Sequence, residues 1–150
     1  MIQRKQTLWL LLAALCSILT FYIPYGLQTV GQNGTALLNE IPLKASNSFV
    51  LAALSIITAI DCFAAIFMFK QRPNQIKLCA LAIFIQLGSL AFQIYHAGQT
   101  ELGNRLVIGI LGSRMYLGVL VPVLVIALIG LAISGIRQDE RLIKSTDRLR

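Results

Sequence analysis

Residues 48–69 read SFVLAALSIITAIDCFAAIFMF, 22 residues with no Gly or Pro and one charge, Asp61. At about 1.5 Å of rise per residue, such a run is just long enough to cross a hydrocarbon core of roughly 30 Å as a helix. An acid well inside an apolar segment is costly and faces a bundle interior, stays protonated or finds a partner. This stretch therefore predicts a membrane helix and marks Asp61 as its exceptional residue.

The whole chain agrees. Its 150 residues are 57% hydrophobic and 13% charged, with a mean hydropathy of +0.75. A soluble domain carries about 25% charged residues. Three further apolar runs stand beside the first, and the helices are expected over about 7–27, 48–69, 78–97 and 116–136. The expected fold is an all-α membrane domain of four antiparallel transmembrane helices, with a tail over 137–150. The first run follows Gln3-Arg4-Lys5, as a secretory signal would, but continues through Phe21-Tyr22-Ile23 without a small-x-small cleavage pattern, so it is read as an uncleaved helix. Residues 70–77, KQRPNQIK, are expected as a tight turn.

Counting Lys and Arg orients the expected bundle. Arg4, Lys5, Lys70, Arg72, Lys77, Arg137, Arg141, Lys144, Arg148 and Arg150 make ten on one side, against three (Lys44, Arg105 and Arg114) on the other. The positive-inside rule then puts both termini in the cytoplasm. The net charge of +7 is thereby topology rather than a nucleic-acid footprint. Trp9 falls near the inner interface and Tyr22, Tyr25, Tyr95 and Tyr116 near the outer one, as an aromatic belt requires. In the outer loops, Gln32-Asn33-Gly34 is a hairpin-turn signal and Leu106–Leu111, LVIGIL, a short β-like run. These segments are expected to form a small extracytoplasmic β cap, with a re-entrant dip of 106–112 as the competing reading. Asn33-Gly34-Thr35 matches a glycosylation sequon, a pattern too common by chance to carry weight.

Polar residues recur at helical spacing. In the third helix, Cys79, Ala82, Gln86, Ser89, Gln93 and His96 are spaced 3, 4, 3, 4 and 3 apart, one narrow face suited to a packing seam. Matching stripes are Thr58-Asp61-Ala65-Met68, Ala13-Ser17-Thr20-Pro24 and Val123-Ala127-Gly130-Ser134. A hairpin centred on Pro73-Asn74 would set Asp61 level with Gln86, and Ser17 at similar depth, roughly 10–15 Å from the inner interface. The expected intramembrane polar layer is thus Asp61, Gln86 and Ser17, with Thr58, Ser89 and Gln93 along the same stripes. A neutral Asp61 bonded to Gln86 is favoured over a proton or cation site, because no second membrane acid and no deep Lys or Arg completes a relay.

No nucleophile elbow, HExxH, phosphate loop or paired carboxylates occur, so neither an enzyme nor a cofactor is expected. Cys16, Cys62 and Cys79 lie in apolar runs without metal-ligand spacing and read as inert thiols. The tail RQDERLIKSTDRLR carries Arg137, Arg141, Lys144, Arg148 and Arg150, with Glu140 and Lys144 spaced for an i,i+4 pair. It reads as a helical extension, anchored at headgroups or docked on a cytoplasmic or membrane protein. The lipid bilayer is the first expected partner, and no nucleic acid is expected.

The opening MIQRKQTLWLLLAA, the KQRPNQIKLC turn region and the ending IRQDERLIKSTDRLR resemble a family of four-helix inner-membrane proteins of Bacteroidota, a domain of unknown function. The resemblance covers essentially the whole chain. It implies a bacterial inner membrane and the four-helix layout, and supplies no activity or site residue. The expected function is that of a non-catalytic accessory or assembly subunit of a membrane complex. The alternative is a small proton-coupled transporter or channel using Asp61.

Overall fold

The computed structural model describes residues 3–31, 38–69, 71–98 and 117–147. Four helices carry the fold: α1 (Gln3–Leu19), α2 (Phe49–Phe67), α3 (Arg72–Gly98) and α4 (Leu120–Asp147). A two-stranded antiparallel sheet, β1 (Gly26–Gly31) with β2 (Leu38–Leu43), joins α1 to α2. Three of the helices are long and apolar enough to cross a membrane, over Phe49–Phe67, Arg72–His96 and Leu120–Arg141.

The first helix is shorter than expected. It stops at Leu19 rather than continuing to 27, and its apolar part is Gln6–Leu19. The stop has a local cause. The amides of Phe21 and Tyr22 bond the carbonyls of Ile18 and Leu19 at 3.1 and 3.0 Å, tightening the last turn to three-residue spacing. Pro24 then biases Ile23 away from helical geometry. The Tyr25 amide instead meets the Leu43 carbonyl at 2.9 Å and opens the β ladder, in which Gly26 faces Leu43 and Gly31 faces Leu38. The strands thus flank the segment holding Gln32-Asn33-Gly34. That turn, the sequon, Leu106–Leu111 and the re-entrant alternative all lie outside the described residues.

The turn expected over 70–77 is mostly helix. Pro73 is the second residue of α3, in the first turn, where a missing N–H removes no intrahelical bond. The Gln71 carbonyl and side chain accept from the Asn74 amide and carboxamide, which closes that first turn. At the other end, α4 begins at Leu120 after a single 3₁₀ turn, Leu117–Val119, and Pro122 again falls in the first helical turn. It then runs unbroken to Asp147, so the tail as far as that residue continues the same helix.

Each helix has two neighbours: α1 packs on α2 and α4, and α3 packs on α2 and α4. The interior between them holds Leu10, Ala13 and Ala14 of α1, Cys62 and Ala65 of α2, Cys79 and Ala82 of α3, and Val125, Ile129, Ala132 and Ile136 of α4. A second cluster, Tyr25, Leu43, Ala45 and Leu51 with Phe92 and Val119, seats the base of the hairpin on the helices. One very close approach ties this end together. The Gly118 amide donates to the Pro24 carbonyl at 3.1 Å, and a Cβ on Gly118 would sit 2.4 Å from that oxygen.

The outside is more apolar than the inside in the helical region. Phe67 is 78% exposed and Phe84 73%, with Leu8, Leu11, Leu15, Ile56, Ile60, Leu81, Leu124 and Leu131 also facing outward. Ser17, Thr20, Ser55, Thr58, Gln86, Ser89 and Gln93 are buried. Such an inversion is stable where the surrounding solvent is hydrocarbon. One expected seam lies on that outer face: Val123, Ala127, Gly130 and Ser134 are exposed, and no atom lies within 4 Å of where a Gly130 Cβ would be. The inward face of α4 is instead Val125, Ile129, Ala132, Ile136 and Asp139.

Candidate functional site

The six residues expected in the polar layer, Ser17, Thr58, Asp61, Gln86, Ser89 and Gln93, are all buried in the helix interior. They come from α1, α2 and α3, while α4 faces them with apolar side chains such as Val121 and Val125. The stripe on α3 holds from Cys79 to Gln93, with His96 half-buried at its end.

The hydrogen bonding within that interior differs from the expected pattern. Most hydroxyls bond their own helix: Ser17 Oγ donates to the Ala13 carbonyl at 2.9 Å, Thr58 Oγ1 to that of Leu54 at 2.8 Å, and Ser89 Oγ to that of Gln86 at 2.8 Å. The polar bridge between helices is Thr20 Oγ1 to Ser55 Oγ at 2.9 Å. No hydrogen bond joins Asp61 to Gln86 among the described residues, and Asp61 Oδ2, Gln86 Oε1 and Gln93 Oε1 have no partner. The level was misjudged because Pro73 does not delay α3. With α2 ending at Phe67 and α3 starting at Arg72, the hairpin is centred near residue 70, which sets Asp61 level with a residue about two turns earlier than Gln86.

Near the hairpin, Tyr25 Oη lies 3.5 Å from His96 Nδ1, and the Phe92 and His96 rings stack with centroids 5.7 Å apart. Tyr25 is nearly inaccessible, and burial pushes its phenol above the usual range.

A second polar group, at the opposite end, escaped the sequence reading. Asp139, 8% exposed, accepts a hydrogen bond at Oδ2 from Gln6 Nε2, linking α4 to the start of α1. Gln6 reaches it by passing Gly135, where a Cβ would lie 3.1 Å from Gln6 Cγ. Asp139 Oδ1 is buried and unpartnered, and Gln75 of α3 is buried beside the same niche. The signal was present in the sequence: Asp139 follows Ala132 and Ile136 at spacings of 4 and 3, which keeps it on the inward face.

In the tail, Arg137 and Arg141 are exposed on the outer side of α4. Lys144 lies on the final turns of the helix, and Arg148 and Arg150 lie outside the described residues. Among the described residues, no group of three His, Cys, Asp or Glu side chains is placed to hold a metal.

Neither the curated proteins nor the solved structures include a match to the chain. A family model matches residues 2–149, nearly the full length, and the chain belongs to that family, a domain of unknown function (DUF4293).

Proposed function

We propose that this chain is a non-catalytic accessory or assembly subunit of a membrane protein complex, held in a bacterial inner membrane as an antiparallel four-helix bundle with both termini cytoplasmic. The observation that carries the reading is the unbroken continuation of α4 past its apolar span. At the end of that span Asp139 faces inward and is bonded to Gln6, while Arg137 and Arg141 point outward, and the helix continues from there to Asp147. A basic edge is thereby held on a rigid element, as a docking surface for an acidic protein partner requires. Lys144 follows at helical spacing. The orientation rests on the ten-to-three division of Lys and Arg. Nucleic acid has no place in this reading, and the bilayer is the other partner.

Affinity purification from mild detergent tests it, comparing the full chain with a variant carrying Arg137→Glu and Arg141→Glu. Recovery of a defined partner by the full chain and its loss from the variant supports docking. A solitary chain in both preparations refutes it.

A second reading keeps one specific observation in its favour. Three interior acceptors, Asp61 Oδ2, Gln86 Oε1 and Gln93 Oε1, lack partners, which suits a proton or cation site. Reconstituted vesicles with a pH-sensitive dye decide it: flux abolished by Asp61→Asn establishes transport, and flux absent from the native chain removes it.

A further inference from the structure

We propose that the niche between the start of α1, the α2–α3 connection and α4 binds a zwitterionic phospholipid headgroup whose cation is a primary ammonium. This goes beyond the docking reading, since it concerns the inward side of α4 at Asp139 rather than its outer edge.

The niche is a cavity of about 20 Å³ lined by Gln6, Thr7, Phe69, Arg72, Gln75 and Asp139. That volume admits one water-sized group. An ammonium is such a group, whereas a trimethylammonium is several times larger. The chemistry of the wall selects in the same sense. Asp139 is more than nine-tenths buried, one carboxylate oxygen is occupied by Gln6, and the other is unpartnered. A buried carboxylate oxygen is best satisfied by a charged N–H donor. A primary ammonium brings three such donors, and the side-chain carbonyls of Gln6 and Gln75 are acceptors in the same wall. A trimethylated headgroup brings none.

Position supplies the rest. The connection between two apolar helices, α2 and α3, lies at the niche, so the site sits at the level of lipid headgroups. Arg72, half-exposed in the wall, is suited to the phosphate that is two carbons from the ammonium. Phe69, 51% exposed, offers an apolar edge towards the acyl region.

The test uses the full chain in nanodiscs of equal parts phosphatidylethanolamine, phosphatidylcholine and phosphatidylglycerol, with retained lipids read by native mass spectrometry. Phosphatidylethanolamine should be retained about tenfold over phosphatidylcholine, the factor expected when a charge-assisted hydrogen bond is made or lost. Retention should fall stepwise for the N-methylated and N,N-dimethylated lipids, a readout that needs no variant. Asp139→Asn should remove the preference while leaving the helical content of the chain unchanged. Equal retention of the ethanolamine and choline lipids by the native chain would overturn the proposal, as would full preference in Asp139→Asn. Soluble O-phosphoethanolamine separates the sources: failure to displace the lipid supports a bilayer ligand, and complete displacement overturns it.

Discussion

Asp61 is the residue the sequence marks most strongly, and the structure changes what it does. It lies inside the bundle, as an acid in an apolar run must, but the expected bond to Gln86 is not formed. A buried carboxylate oxygen without a partner costs stability. Asp61→Leu, which removes the orphaned oxygen with a side chain of similar branched shape, should therefore raise the thermal midpoint in detergent, corresponding to about 1 kcal/mol; a clear drop would reveal an interaction made by the carboxyl group. Thr20, just past α1, bonds Ser55 of α2 in the interior. Ser55→Ala should cost about 0.5–1 kcal/mol, the modest worth of such bonds in membrane bundles. Thr20 limits the loss, because its hydroxyl also reaches the Ser17 carbonyl. A double-mutant cycle with Thr20→Val measures the coupling directly.

At the level of elements, the prolines decide the boundaries. Pro24 ends the first apolar run as helix, whereas Pro73 and Pro122 each sit in a first turn and leave their helices intact. Composition alone cannot separate these roles, since the difference lies in whether helical turns precede the ring. Gly118 is the tightest point between elements. Its Cβ would meet Pro24 and Tyr25 backbone within 2.7 Å, and backbone cannot swing aside as a flexible side chain can. Gly118→Ala should lose about 1–3 kcal/mol in a chemical-denaturation series. Gly130→Ala serves as the control, since nothing lies near its added methyl and the outward helix surface gains propensity. Along α4, removing residues 142–150 should leave the bundle folded with its helical content per residue unchanged, because the described core and the bond to α1 are made by residues before 142. The Gln6–Asp139 bond that ties α4 to α1 survives that truncation.

For the whole molecule, the organising fact is inversion: large apolar side chains outside, Ser, Thr and Gln inside. In hydrocarbon, apolar burial drives no association, so cohesion comes from close packing of small residues and from interior hydrogen bonds. Ala13, Ala14, Ala65, Ala82 and Ala132 at the centre fit that requirement. The arrangement also ties α1 to α4 near both of its ends. Gln6 meets Asp139, while beyond the opposite end of α1 Pro24 meets Gly118. On the proposed orientation, a reporter that is active only in the cytoplasm should be active when fused at either terminus, and inactive when inserted near Lys44; activity at the Lys44 position would reverse the charge-based orientation.

The sequence by itself determined the class of solvent, the number of helices and the inward faces of α1, α2 and α3. Those follow from apolar run length and from polar residues recurring every three to four positions, both of which are local properties of the chain. The seam of α4 was misplaced because Gly130 and Ser134 match a small-xxx-small pattern equally well on a lipid-facing surface. Only the tertiary structure decided which polar groups meet. It paired Thr20 with Ser55 and Gln6 with Asp139, and it left Asp61 unbonded to Gln86. Those pairings depend on how far one helix is displaced along another, and a start shifted by a few residues moves every facing partner by one or two turns.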